Sequence, residues 1–280
     1  MNRRLKGLSL ASKLLVAVVV MATTGLLSVQ ASSRVLAKCY PSRTADNNYY
    51  FDGWYAPNYL PGGIYSSILT YQPDVVSSTK YGKDSTGTGA WVMLENPNWD
   101  GSGSWGSGGG SNYMNWAQIG WWATDSTHVY EFAQFTTQPD APNTAAHVGQ
   151  WLNTAPGTMI QGSRHQYMVL ENNTSGYFTF FVDGTLAFAA VGSGAFSYFP
   201  ADDAEAAAEI HTLASQMAGG NSYPDDFSGT WWWLPGPSNW ETYYTGTYSS
   251  ATLSPGQYSA FNHGIIASTE AQISDSACPS

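Results

Sequence analysis

Short runs of alternating or wholly apolar side chains recur along this chain, separated by clusters of Gly, Asn, Asp and Ser. That pattern predicts strands rather than helices. Gly63–Thr70 reads as a first strand, and Ala90–Leu94 as a second, apolar throughout and therefore central. In Trp116-Ala117-Gln118-Ile119-Gly120-Trp121-Trp122 the period of two puts Trp116, Gln118 and Trp122 on one face. Ala117, Ile119 and Trp121 take the other. Val129–Phe135 pairs back on that run through a turn at Asp125. His165–Glu171, Tyr177–Asp183 and Thr185–Val191 follow, with Asp183-Gly184 a two-residue hairpin signal. Tyr177–Val182 is apolar on both faces and belongs inside a sandwich. Trp231–Leu234, Glu241–Tyr244, Tyr258–Phe261 and Ile265–Ile273 complete the set. Residues 40–61 look irregular, and no repeat period emerges. Many short antiparallel strands with Gly-rich turns predict an all-β fold, an antiparallel β-sandwich or jelly roll.

One segment breaks the pattern. From Asp202 to Met217 local propensity favours a helix. Asp202 and Glu205 make a capping box, alanines follow, and Gly219-Gly220 would end it. Residues 100–112 are almost pure Gly and Ser around Trp105, which suits a long loop within one domain.

The ends of the chain add a compartment. Arg3, Arg4, Lys6 and Lys13 precede an apolar run from Leu14, and Val29-Gln30-Ala31 offers small residues for cleavage. Residues 1–31 are therefore expected to be a signal peptide, and 32–280 a single secreted domain with no membrane anchor after cleavage. Without the signal, 6 basic side chains face 20 acidic ones, a formal charge of −14. Such a surface repels nucleic acid. It also gains little positive charge in acid, which suits an acidic exterior. Cys39 and Cys278 are expected to pair as one disulfide near the two termini. No Cys pair at ligand spacing and no His-x-x-x-His occurs, so neither a metal nor another cofactor is expected.

Trp91-Val92-Met93-Leu94-Glu95, Gln118-Ile119-Gly120-Trp121 and Ala208-Glu209-Ile210 together resemble secreted glutamic peptidases of the eqolisin type and the related neprosin group. The likeness spans residues 63–213. Trp122 stands where eqolisins carry an acidic residue. The resemblance implies a concanavalin-like jelly roll with Gln118 and Glu209 as a catalytic dyad on a concave sheet. Glu95 takes the place of the acidic residue after the first strand. The resemblance also implies a strand from about Ala207 to Leu213 where propensity favours helix.

On that basis Glu209 acts as general base and then general acid, and Gln118 donates to the oxyanion. Trp116, Trp122 and Trp105 form apolar walls for a polypeptide substrate. Glu95 and His211 support the dyad. Glu205 is the rival acid; on a strand starting near Ala207 it falls apart from Glu209. Other hydrolases fit less well. There is no full Gly-x-Ser-x-Gly elbow, and no His/Asp pair stands out. Glu131 and Glu209 are the carboxylates a retaining glycosidase would pair. The alternative is a non-catalytic glycan binder using Trp231–Trp233, Trp240, Tyr243 and Tyr244, and a monomer is expected on either reading.

Overall fold

The structure is a computed structural model. It describes residues 50–56, 60–70, 73, 75, 87–96, 115–125, 127–136, 148–153, 162–172, 177–190, 199–211, 215–216, 219–220, 223–234, 238–243, 261–276 and 278. The expected signal peptide, Cys39, Trp105, the Gly/Ser stretch 100–112 and Tyr244 lie outside them. All described residues fall in one compact unit, Arg34–Ser280.

Every element among the described residues is a strand. In chain order they are β1 Tyr50–Ala56, β2 Gly63–Leu69, β3 Thr88–Asn96, β4 Asn115–Ala123, β5 Val129–Thr136, β6 Val148–Asn153, β7 Arg164–Asn172 and β8 Tyr177–Val182. There follow β9 Thr185–Ala190, β10 Asp203–Ile210, β11 Gly219–Gly220, β12 Tyr223–Leu234, β13 Asn239–Thr242, β14 Phe261–Ala267 and β15 Glu270–Asp275. One sheet runs β1-β10-β3-β4-β5-β6; the other runs β14-β15-β11-β12-β2-β7-β8-β9, with β13 on β12. Pairings are antiparallel apart from one bridge, Gly220 to Asp275. The fold is an antiparallel β-sandwich.

The core lies between the sheets. Val92, Leu94, Ile119, Trp121 and Ile210 from the first sheet meet Ile64, Ile68, Val169, Phe180, Phe227 and Trp232 from the second. Period two then sends Trp91, Met93, Gln118, Glu205 and Glu209 to the opposite, outer side of the first sheet. Trp121 faces the core while Trp116 and Trp122 face outward, as the alternation predicts. Asp183 and Gly184 both take positive φ, 49° and 73°, which the two-residue turn requires.

Three expectations need correction, and a fourth lies mostly outside the described residues. Residues 40–61 hold β1, hidden because Asp52 interrupts its inward apolar face yet is buried there. Ile265–Ile273 is not one strand: Ser268-Thr269 turns it into the hairpin of β14 and β15. Of the strand expected at Tyr258–Phe261, Phe261 alone is described, and it opens β14. The strand expected at Ala207–Leu213 begins earlier and ends sooner, as β10. Its alanines do not make a helix, because Ala204, Ala206 and Ala208 are buried between the sheets. Tertiary burial outweighs their helix propensity, which is worth only tenths of a kcal/mol per residue.

The first sheet depends on close strand approach at Gly120. A Cβ there would lie 2.0 Å from the Ala90 carbonyl oxygen and 2.7 Å from the Trp91 Cα. Both are backbone atoms and cannot swing aside. Gly120→Ala is therefore expected to lower stability by at least about 1–3 kcal/mol, measured by urea unfolding of residues 32–280.

Candidate active site

The outer face of the first sheet is organised as rows crossing the strands. One row reads Glu205 on β10, Met93 on β3, Gln118 on β4 and Gln134 on β5. A neighbouring row reads Asp203, Glu95 and Trp116. On the other side come Ala207, Trp91, Gly120 and Phe132, then Glu209, Gly89, Trp122 and Tyr130.

The register that makes these rows is clamped at both ends of β10. At its start, Asn96 Nδ2 donates to the Pro200 carbonyl at 2.7 Å, and the Asp202 N–H donates to the Glu95 carbonyl at 2.9 Å. Beyond its end, the His211 N–H donates to the Gly87 carbonyl at 3.1 Å. The Tyr243 hydroxyl, 2.6 Å from the Ala204 carbonyl oxygen and 2.8 Å from that of Trp54, ties β10 and β1 to the segment after β13.

The structure changes which acid stands opposite Gln118. Glu209 lies two rows away from it, about 13 Å along the strand. Glu205 shares its row, with one strand between them and backbones about 10 Å apart. The two glutamates do not fall apart either. Because β10 starts at Asp203, both project from its outer face.

Their surroundings differ. Glu209 is a held carboxylate. Its Oε2 accepts from Trp91 Nε1 at 3.2 Å, and its Oε1 lies 2.8 Å from His211 Nε2. The Trp122 ring covers that imidazole at 4.6 Å, and Gly87 and Gly89 lack the Cβ that would collide with the indole. Glu205 is only 1% exposed. Among the described residues its carboxyl meets no N–H donor; its hydrogen-bonding partner is a second carboxyl, Glu95. Two carboxyls in that contact cannot both ionise cheaply. Burial first, then the charge and contact of Glu95, then Asp203, hold Glu205 well above the usual glutamate range. Burial also pushes Glu95 up, to about 7; the Glu205 hydrogen bond opposes this, and Asp203 and Asp202 add to it.

Gln118 is 8% exposed. Its Nε2 donates to Gln134 Oε1 at 2.9 Å, which uses one of its two hydrogens. Trp116 and Trp122 flank it on the same face, half-buried. The outer face thus carries an amide donor and, across Met93 in the same row, a carboxyl of raised proton affinity.

Glu131 faces the core side of the first sheet and Glu209 the outer side, so they do not form a glycosidase pair. The structure does assemble a Ser-His-Asp line that the sequence did not reveal. Ser163 Oγ is 3.0 Å from His165 Nε2, and His165 Nδ1 is 2.8 Å from Asp183 Oδ2. Glu131 Oε1 lies 3.9 Å from the same Nδ1, its other oxygen accepting from Asn153 at 2.7 Å. Burial pulls the His165 pKa down, but the Asp183 hydrogen bond and charge, with Glu131, outweigh it and raise it. Through Glu131 on β5 the His165 ring, on β7, links one sheet to the other. Among the described residues no three His, Cys, Asp or Glu side chains converge as metal ligands. Trp232 is buried, Trp233 packs on Trp240 at 5.8 Å, and Trp231 is 37% exposed. Tyr243 is buried. Cys278 is buried too; its expected partner Cys39 is not described.

A sandwich with these rows on its outer face has the fold of the eqolisin glutamic peptidases. SCP-B, a member of the eqolisin family of peptidases solved with the tripeptide Ala-Ile-His, superposes with a TM-score of 0.51 at 10% identity. Scytalido-glutamic peptidase with a transition-state analogue inhibitor superposes at 0.52 and 11% identity. Each match covers 83% of this chain and 100% of the other. A glycoside hydrolase family 16 endo-glucanase from Bacteroides ovatus reaches only 0.29, at 10% identity over 61% of this chain and 58% of its own. No protein-family model and no curated protein matches the sequence. The likeness is one of fold.

The raised carboxyls make stability depend on pH with a definite sign. A Glu95 pKa lifted from 4.5 to about 7 contributes stability fully present below 4.5 and lost as pH rises through 7. The loss is about 3 kcal/mol. Urea unfolding of residues 32–280 should therefore show stability falling between pH 4.5 and 7, and Glu95→Gln should flatten that fall.

Proposed function

We propose that this chain is a secreted endopeptidase of the glutamic type, with Glu205 as its acid–base group and Gln118 as its oxyanion donor. The observation that carries this reading is the shared row of Glu205 and Gln118 on the outer face of the first sheet. The fold it shares with known glutamic peptidases supports the reaction class.

The chemistry follows from the groups present. Water attacks the scissile carbonyl carbon and passes its proton to the carboxyl pair at Glu205. The carbonyl oxygen becomes an oxyanion and takes the second amide hydrogen of Gln118. Glu205 then protonates the leaving amine as the C–N bond breaks. Trp116 and Trp122 bind apolar side chains of the substrate. Glu209, with both oxygens engaged, fixes Trp91 and His211 instead of reacting. Met93 projects from the same face between acid and amide and must yield for water and peptide to enter; its unbranched side chain suits that movement.

The test is cleavage of an unfolded protein by residues 32–280. Gln118→Ala should lower kcat about 10²–10³-fold, as loss of an oxyanion donor does elsewhere. Glu205→Gln should lower it at least as far, whereas Glu209→Gln should stay within about tenfold of the parent. Met93→Gly should raise kcat/KM. Cleavage that survives Glu205→Gln but not Glu209→Gln would return the acid to Glu209. A folded chain that cleaves nothing would leave glycan binding at the exposed Trp231 as the reading to pursue.

A further inference from the structure

We propose that Glu95 is a proton-relay residue, working with Glu205 as one carboxyl pair that carries a single proton in its active state. This rests on the peptidase reading above and assigns the residue that makes Glu205 usable in it.

The geometry creates the need. Glu205 is buried without an N–H donor among the described residues, and its partner is the Glu95 carboxyl on the adjacent strand. The two occupy neighbouring rows, a diagonal contact that two glutamate side chains span. The groups facing Glu95 from β10 and the residue before it are Glu205, Asp203 and Asp202. Its β4 neighbour, Trp116, carries no charge. Tyr55 holds the register position opposite Glu205 on β1. No cation stands among these residues, so the pair keeps a proton to limit its charge.

A Glu205 that already carries a proton cannot take one from water unless it passes its own on. Glu95 is the acceptor within reach. In the attack step a water O–H breaks and its proton goes to the free oxygen of Glu205, while the Glu205 proton moves to Glu95. In the collapse step Glu205 gives a proton to the leaving nitrogen and takes one back from Glu95. The pair ends as it began, with one proton and one charge. Glu95 touches no reacting atom. The competent state needs Glu95 ionised and Glu205 protonated, so activity rises with pH through the ionisation of Glu95, near 7. That places the working range closer to neutral than the acidic composition suggests.

Two measurements on residues 32–280 test this together. The first is a carbon-13 titration of the glutamate side-chain carboxyls, of which the chain has seven. The expected result is one carboxyl ionising near neutral pH and a second that stays protonated beyond it. Both signatures should be altered in Glu95→Gln. The second is the pH profile of kcat on an unfolded protein. Glu95→Gln should lower kcat about 100-fold or more and abolish the limb near 7. Glu95→Asp should restore the limb at reduced height. Two carboxyls that titrate independently in the ordinary glutamate range, in a chain that does cleave, would overturn the relay alone. A Glu95→Gln variant with the parental profile would do the same. A coupled pair in a chain that cleaves nothing would leave the relay without a reaction, and the peptidase reading would fall with it.

Discussion

The insertion of β10 between β1 and β3, in one fixed register, is the constraint on which the site depends. Side chains alternate along a strand, so a slip of one residue would send Glu205 and Glu209 into the apolar core and bring alanines outward. The protein guards against that slip with side-chain and backbone clamps at both ends of the strand, from Asn96 to Pro200 and from His211 to Gly87. Small residues make the insertion sterically feasible. Gly53 faces Ala207 so closely that a Cβ would meet the alanine methyl at 2.5 Å. The carboxyl contact, the indole bond to Glu209 and the approach to Gln118 all follow from this register.

Burial without cations gives the outer face its chemistry. The chain holds only 10 Lys and Arg, and four of those lie in residues 1–31. Glu95 of β3 and Glu205 of β10 therefore meet each other instead of a basic partner, and their proton affinity rises through desolvation and mutual repulsion. The cluster between the sheets is arranged in the opposite sense. There burial pushes the Asp183 carboxyl up, but its bonds to the His165 ring and the Gln166 N–H outweigh that and hold it below the usual range. The same molecule thus holds one carboxyl below its usual range beside an imidazole and, chiefly by burial, lifts another to about 7.

Much of the fold was legible in the sequence because its signals are local. The faces of Trp116–Trp122 follow from period two, and the Asp183-Gly184 turn follows from what two positive φ angles demand. β10 was harder. Its alanines and its Asp202/Glu205 spacing imitate a helix start, and what overrules them is burial against strands distant in sequence. A period-two signal was present, with Asp203, Glu205 and Glu209 alternating against Ala204, Ala206 and Ala208, but the stronger local propensity masked it. The choice of Glu209 over Glu205 came from likeness to other sequences. Only the cross-strand register sets Glu205 in the row of Gln118. The contact between Glu95 and Glu205 has no local signature at all, since it joins residues 110 positions apart on different strands.

That separation has a consequence in time. β3 and β4 are made early, whereas β10 emerges only after β5 to β9 have been synthesised. Long-range antiparallel pairing forms slowly, because the intervening chain must be ordered before the contacts reward it. Until β10 enters its slot, Glu95 and Glu205 are apart and hydrated, with the acidity of ordinary glutamates. The carboxyl contact therefore comes into being only when the sheet closes, and a chain still in the course of folding carries both glutamates without their raised proton affinity.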